Sequence, residues 1–139
     1  SLGGMSFTSV IVGVVDAAMN YTKHWLKTNL ANGSSLRAFQ QVEWTMAEQE
    51  YWLIEQAWES GIRSFDNNTL ERRTVLLAKE NVARLSASVL DRLCKLSGGT
   101  AYTKYSPLGT WLQDVRALGY LRPPWALAFD NMFNMSIED

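Results

Sequence analysis

The residues that could do chemistry in this chain are few, and most of them stand alone. His24 is the only histidine, so a Ser-His-Asp relay would have to be assembled around it, and no Gly-x-Ser-x-Gly elbow supplies the nucleophile. It reads as a surface or internally satisfied histidine near a helix end. Cys94 is the only cysteine. One thiol can neither close an internal disulfide nor hold zinc, and with no histidine close in sequence it reads as a small buried helix residue. Glu43, Glu50 and Glu55 lie on one stretch of helical pattern, but the Glu-x-x-His pairs that bind two irons in helical bundles are missing. No metal is expected, and the three carboxylates read as a solvated face. Gln49 and Glu50 interrupt an apolar stripe, which an exposed helical turn explains more simply than the wall of a cavity. Gly98-Gly99 offers bare amides that a phosphate can approach, although a glycine pair on its own reads first as a helix stop.

Positioning these groups falls to helices. From about Met5 to Leu30, the residues Phe7, Val10, Ile11, Val14, Ala18, Tyr21 and Trp25 recur at steps of three and four, one face of a 3.6-residue period. Ala31-Asn-Gly-Ser-Ser35 then supplies a glycine for a left-handed stop and serine hydroxyls to cap the next helix. That second helix runs from about Leu36 to Ile62, with Phe39, Val42, Met46, Leu53 and Ala57 as its core stripe. Trp44, Tyr51, Trp52 and Trp58 stand off the stripe, so something is expected to cover the surplus apolar surface. Asn68-Thr-Leu-Glu71 has capping-box spacing and opens a third helix, whose Leu70, Leu77, Val82, Leu85, Val89, Leu93 and Leu96 lead to a stop at Gly98-Gly99. A shorter helix spans Pro107 to Gly119, and Pro123-Pro124 can open a last one. No stretch alternates with a period of two, so no strand is expected. The pattern implies an all-α fold: one domain over residues 1–139, an antiparallel up-and-down bundle of three long helices plus a shorter C-terminal helical segment.

Composition narrows the partners. Apolar residues make up 47% of the 139 and charged ones 19%, which is globular and argues against disorder. Thirteen Lys and Arg against 14 Asp and Glu leave no global field for a polyanion, so no nucleic acid is expected. Val10-Ile-Val-Gly-Val-Val15 is too short to span a bilayer and is followed by Asp16 and Asn20; no membrane partner is expected. A lone cysteine and no targeting pattern imply the cytoplasm. Ser1-Leu-Gly-Gly-Met5 enters helix without an initiator methionine, which suggests a fragment of a longer chain.

Three ordered segments resemble the C-terminal helical domain of acyl-CoA dehydrogenases and the related flavin-dependent hydroxylases. Leu36, Phe39, Gln40, Val42, Glu43, Met46, Ala47 and Glu48 are similar to the family's Leu-x-x-Phe-Gln-x-Ile-Gln-x-x-Leu-Ala-Glu. Ser97-Gly98-Gly99-Thr-Ala101-Tyr102 is similar to its Gly-Gly-x-Gly-Tyr or Phe turn. Pro107-Leu108, followed by Asp114-Val115-Arg116-Ala117, is similar to its Pro-Leu-x-Arg-x-x-Arg-Asp-x-x-Ala. Val10 to Tyr21 resembles the small-residue helix that opens the domain, so the likeness covers nearly the whole chain.

The resemblance implies a flavin-dependent oxidoreductase subunit whose N-terminal helical and β domains lie outside this chain. It implies a homo-oligomer, dimer or tetramer, and a flavin, FAD or reduced FMN, held between the β domain and the bundle. Phe39 and Gln40 would then face flavin, while Lys95, Gly98 and Gly99 would approach the pyrophosphate of a neighbouring subunit's cofactor. Lys95 takes a place often held by Gln in the family. The chain also departs from the pattern. Thr110 and Gln113 replace both motif arginines, and Lys27 to Gly33 lacks the family's Arg-x-x-Phe-Gly. Arg122 stands where many dehydrogenases have the glutamate that removes the substrate's α proton, and a guanidinium cannot be that base. Leu121 stands about where the hydroxylase branch has a histidine, which is missing here. No catalytic residue is therefore assigned. The competing expectation is a non-catalytic interaction module that dimerises through Trp44, Trp52 and Trp58 and binds no flavin.

Overall fold

A computed structural model describes residues 2–66, 72–119 and 125–138, with side chains over 7–64, 72–119 and 129–138. Five α-helices follow one another: α1 (Leu2–Ala31), α2 (Ala38–Asp66), α3 (Arg72–Ser97), α4 (Leu108–Gly119) and α5 (Trp125–Glu138), with a 3-10 turn at Gly98–Tyr102 between α3 and α4. No strand occurs among the described residues. The expected all-α bundle of three long helices and a shorter C-terminal segment is what forms, the segment being two helices. The capping box at Asn68, together with Leu70, Leu121, Arg122 and Pro123-Pro124, lies outside the described residues.

The first stop is built as its glycine predicts. Gly33 has φ +85; its amide donates to the Leu30 carbonyl at 3.1 Å and that of Ser34 to Asn29 at 3.0 Å. These are the paired bonds of a Schellman end, which needs a left-handed residue where Gly33 stands. The serines do not cap α2. The helix starts at Ala38, beyond their reach, and Gln40 reaches back instead, its Oε1 accepting the Arg37 amide at 2.8 Å. At α4 the cap is Ser106, whose Oγ accepts the Leu108 amide at 3.2 Å, with Pro107 in the first-turn place that tolerates it.

The central helix is α3, with α2 along one side and α1 and α4 on the others. Gln40 bonds Leu96, Glu43 meets Arg92, and Glu50 bonds Ser88. Residue numbers thus fall on α3 as they rise on α2, so the pair is antiparallel. The core joins Ile11, Val15 and Ala18 of α1, Ala47 and Ile54 of α2, Val82, Val89, Leu90, Leu93 and Cys94 of α3, and Leu108, Leu112 and Val115 of α4. The expectation for Cys94, a buried helix residue, is met, and burial pushes its thiol up from the usual range. His24 is exposed.

The expected face of α2 was the wrong one. Phe39, Val42, Met46 and Leu53 are exposed, while Ala47 and Ile54 are buried, and Trp44, Tyr51, Ala57 and Trp58 pack against the core. Apolar residues surround so much of α2 that the period fits two stripes about a third of a turn apart. Polar groups choose between them. Glu43 and Glu50 must meet Arg92 of α3 and Tyr51 must meet Asp16 of α1, and all three lie on the buried side. The solvated-face reading of the glutamates is corrected too: the Glu43 and Glu50 side chains are only 12% and 14% exposed, whereas Glu55 is exposed. Gln49 is on an exposed turn as expected, but Glu50 is turned to α3.

The tie between α1 and α2 predicts an alkaline weakness. Burial, the bond to Asp16 and the negative charge of Asp16 and Glu55 hold the Tyr51 hydroxyl well above its ordinary value. In the unfolded chain it ionises near its ordinary value of about 10. The stabilisation is therefore complete below about pH 10 and declines above it, because the unfolded state loses its proton first. Urea midpoints measured from about pH 9 to about pH 11 should fall less steeply for Tyr51→Phe than for the native chain; parallel slopes would mean that Tyr51 carries none of this dependence.

Candidate functional site

The antiparallel register of α2 and α3 brings the beginning of one beside the end of the other. Gln40 secures the junction: its Oε1 takes the Arg37 amide and its Nε2 donates to the Leu96 carbonyl at 3.1 Å. Phe39 lies beside it, 46% exposed. Lys95 precedes Leu96, and Gly98 and Gly99 follow. The five residues expected to serve a cofactor thus gather at one end of the helix pair. Gln40 makes its contacts to the bundle's own backbone.

The two glycines differ in why they are there. Gly98 has φ +73, so it is the left-handed residue that ends α3 and starts the 3-10 turn. Gly99 has no such φ, and a Cβ built on it meets nothing within 4 Å. Neither conformation nor packing requires a glycine at 99, and its backbone lies open to approach from outside. The turn is held from below. Ala101 is fully buried, and a Cβ on Gly109 would lie 3.0 Å from the Ala101 carbonyl oxygen and 3.3 Å from the Tyr102 ring. A side chain at 109 would press the turn, which would have to give by a few tenths of an ångström to keep α4 so near.

Charges line the same end. Arg92 Nε donates to Glu50 Oε1 at 2.7 Å, and its NH1 donates to Glu43 Oε2 at 3.1 Å. Ser88 Oγ donates to the Glu50 carboxylate, 2.8 Å and 2.9 Å from its two oxygens. The other oxygen of Glu43, Oε1, lies 3.7 Å from Lys95 Nζ, whose side chain is 67% exposed. Bonds to the two glutamates raise the Arg92 pKa further above its already high value, so it is a permanent cation. Arg92 was missed in the sequence, and Glu43 was read there as part of a solvated face, because the cationic partners of the glutamates sit on another helix.

Two grooves flank the turn. One, of about 440 Å3, is lined by Tyr21, Trp25, Ser97, Thr100, Thr103, Tyr105 and Ser106. The other, of about 290 Å3, includes Asp91, Tyr102, Thr103, Thr110, Gln113 and Arg116, so the two positions that lack the motif arginines face a groove that holds Arg116. No group of three or more potential metal ligands occurs among the described residues. No helix of the described residues is long and apolar enough to cross a membrane.

No curated protein and no solved structure matches the chain. A family model does. Its description is acyl-CoA dehydrogenase, C-terminal domain, and it matches residues 4–121, which takes in α1 to α4 and the glycine turn. With most of its length matched and the helical bundle formed, the chain belongs to the acyl-CoA dehydrogenase C-terminal domain family.

Proposed function

We propose that this domain, residues 1–139, is the C-terminal part of an acyl-CoA dehydrogenase-like flavin-dependent oxidoreductase, where it forms one wall of a flavin site and carries contacts between subunits. The observation that carries the reading is Gly99. A glycine that neither φ nor packing requires, on an exposed turn that begins three residues after Lys95, is suited to let a phosphate reach backbone amides. FAD or FMN is the cofactor, with Phe39 and Gln40 toward the flavin and Lys95, Gly98 and Gly99 toward the pyrophosphate of a neighbouring subunit's cofactor. The N-terminal and β domains of the same subunit would supply the other wall.

The apolar faces left open support the contacts between copies in a dimer or tetramer. Phe39, Val42, Met46 and Leu53 form an exposed stripe on α2, and Phe133 and Ile137 form another on α5. Trp52 is exposed, whereas Trp44 and Trp58 pack against the domain's own core, so tryptophan-mediated association would rest on Trp52. A second reading, an interaction module without flavin, is favoured by Gln40 and Lys95 both being engaged within the chain. The cytoplasm remains the proposed location.

Hydrogen exchange on the complete subunit, with and without added flavin, separates the two. The flavin-site reading expects slower exchange at Phe39 and Gln40 and from Lys95 to Thr100 when flavin is bound. Unchanged exchange at both segments in a flavin-loaded protein would remove this bundle from the cofactor site.

A further inference from the structure

The charge that would greet a phosphate at the glycine turn is already answered from within the bundle. Glu43, Glu50, Arg92 and Lys95 form a chain of contacts in which two carboxylates balance two cations. Within it the members are held unequally. Glu43 is 12% exposed and fixed by the 3.1 Å contact of its Oε2 with Arg92, whereas Lys95 is 67% exposed and reaches Glu43 Oε1 only at 3.7 Å. The carboxylate is a fixed feature of the α2–α3 seam, and the lysine is an exposed arm resting loosely on it. A loose pair of this kind contributes little to stability, so an incoming anion can take the ammonium without disturbing the fold. Both positions depart from the motifs quoted above: Glu43 stands where the pattern has Gln, and Lys95 where Gln is frequent. The two departures touch each other.

We infer that Glu43 sets the affinity of the Gly98–Gly99 turn for phosphate-bearing ligands by competing with them for the Lys95 ammonium. This rests on the reading of the turn as a phosphate-approach surface and adds to it an internal competitor. Glu43→Gln keeps an oxygen that can accept from Arg92, which also retains Glu50, so the seam persists while the end of the bundle gains one unit of positive charge.

Titration of the complete subunit with ADP, followed by calorimetry at low salt, is the test. Glu43→Gln is expected to bind ADP about fivefold more tightly than the native protein, the scale of a partly exposed ion pair. High salt should shrink the gain, and adding Lys95→Met should abolish it. A seam that was merely weakened would not give a gain that depends on Lys95. Equal ADP affinity in the native and Glu43→Gln proteins overturns the inference, as does absence of ADP binding in both. A parallel flavin titration keeps the two claims apart. Tightened ADP binding with no flavin bound sinks the flavin reading alone, and bound flavin with ADP affinity indifferent to Glu43 sinks the competitor alone.

Discussion

Arg92→Met is expected to lower the stability of the bundle by about 2–4 kcal/mol, because it leaves two nearly buried carboxylates facing each other without their shared cation. Among the described residues the arginine is the one group that contacts both Glu43 and Glu50, through separate nitrogens at 3.1 Å and 2.7 Å. Charge-assisted bonds of this length are the strong ones, and the loss is dominated by the anions stranded in the α2–α3 seam. Lys95, two-thirds exposed and at 3.7 Å, is too loosely placed to substitute. The urea midpoint should fall by about 1–2 M at the usual slope for a small domain. Replacing the carboxylates as well, with Glu43→Gln and Glu50→Gln in the Arg92→Met background, should restore more than half of the loss, because no unpaired charge is then buried. A midpoint unchanged by Arg92→Met alone would show that the seam is held by packing and that its charges are incidental.

That seam also shows where legibility ends. The stops of α1 and α3 can be read from Gly33 and Gly98, because a left-handed residue is a local requirement and glycine its local answer. The start of α4 is equally local in Ser106 and Pro107. The buried face of α2 is not local. Its apolar residues fit two stripes, and the choice depends on Asp16, Ser88 and Arg92, between 35 and 49 residues away along the chain from the groups they meet. Periodicity weighs only apolar character, so it selected Phe39, Val42, Met46 and Leu53, the side that lies open. The start of α2 failed for a similar reason. Serine looked like the cap, but a glutamine three residues past Arg37 reached the free amide first.

The candidate site is legible in a different way. Phe39, Gln40, Lys95, Gly98 and Gly99 have no signature in their own chemistry strong enough to join them, and they are grouped by the family motifs. Their gathering at one end follows from the antiparallel packing of α2 on α3. What the motifs do not contain is the internal charge chain, because it arises where this chain departs from them, at Glu43 and Lys95. The grooves beside the turn are likewise assembled from α1, α3, α4 and the 3-10 turn together, so no single segment announces them.

Gly99 carries the second large effect. A valine there meets no neighbouring atom at its Cβ and no conformational barrier of the left-handed kind, so the fold should lose no more than about 0.5 kcal/mol. Its branched side chain would nevertheless stand over amides that a phosphate must reach. Losing one hydrogen bond to a charged oxygen costs about 1.5–3 kcal/mol, and about 1.4 kcal/mol is already tenfold in affinity. The most direct measurement is therefore the flavin bound per chain, read from visible absorbance, in the purified complete subunit and its Gly99→Val variant. The expectation is near-stoichiometric flavin in the native protein and at least about a tenfold lower affinity in the equally folded variant. A native protein that stays colourless after flavin is added, or a variant that binds flavin as tightly as the native protein, would contradict it.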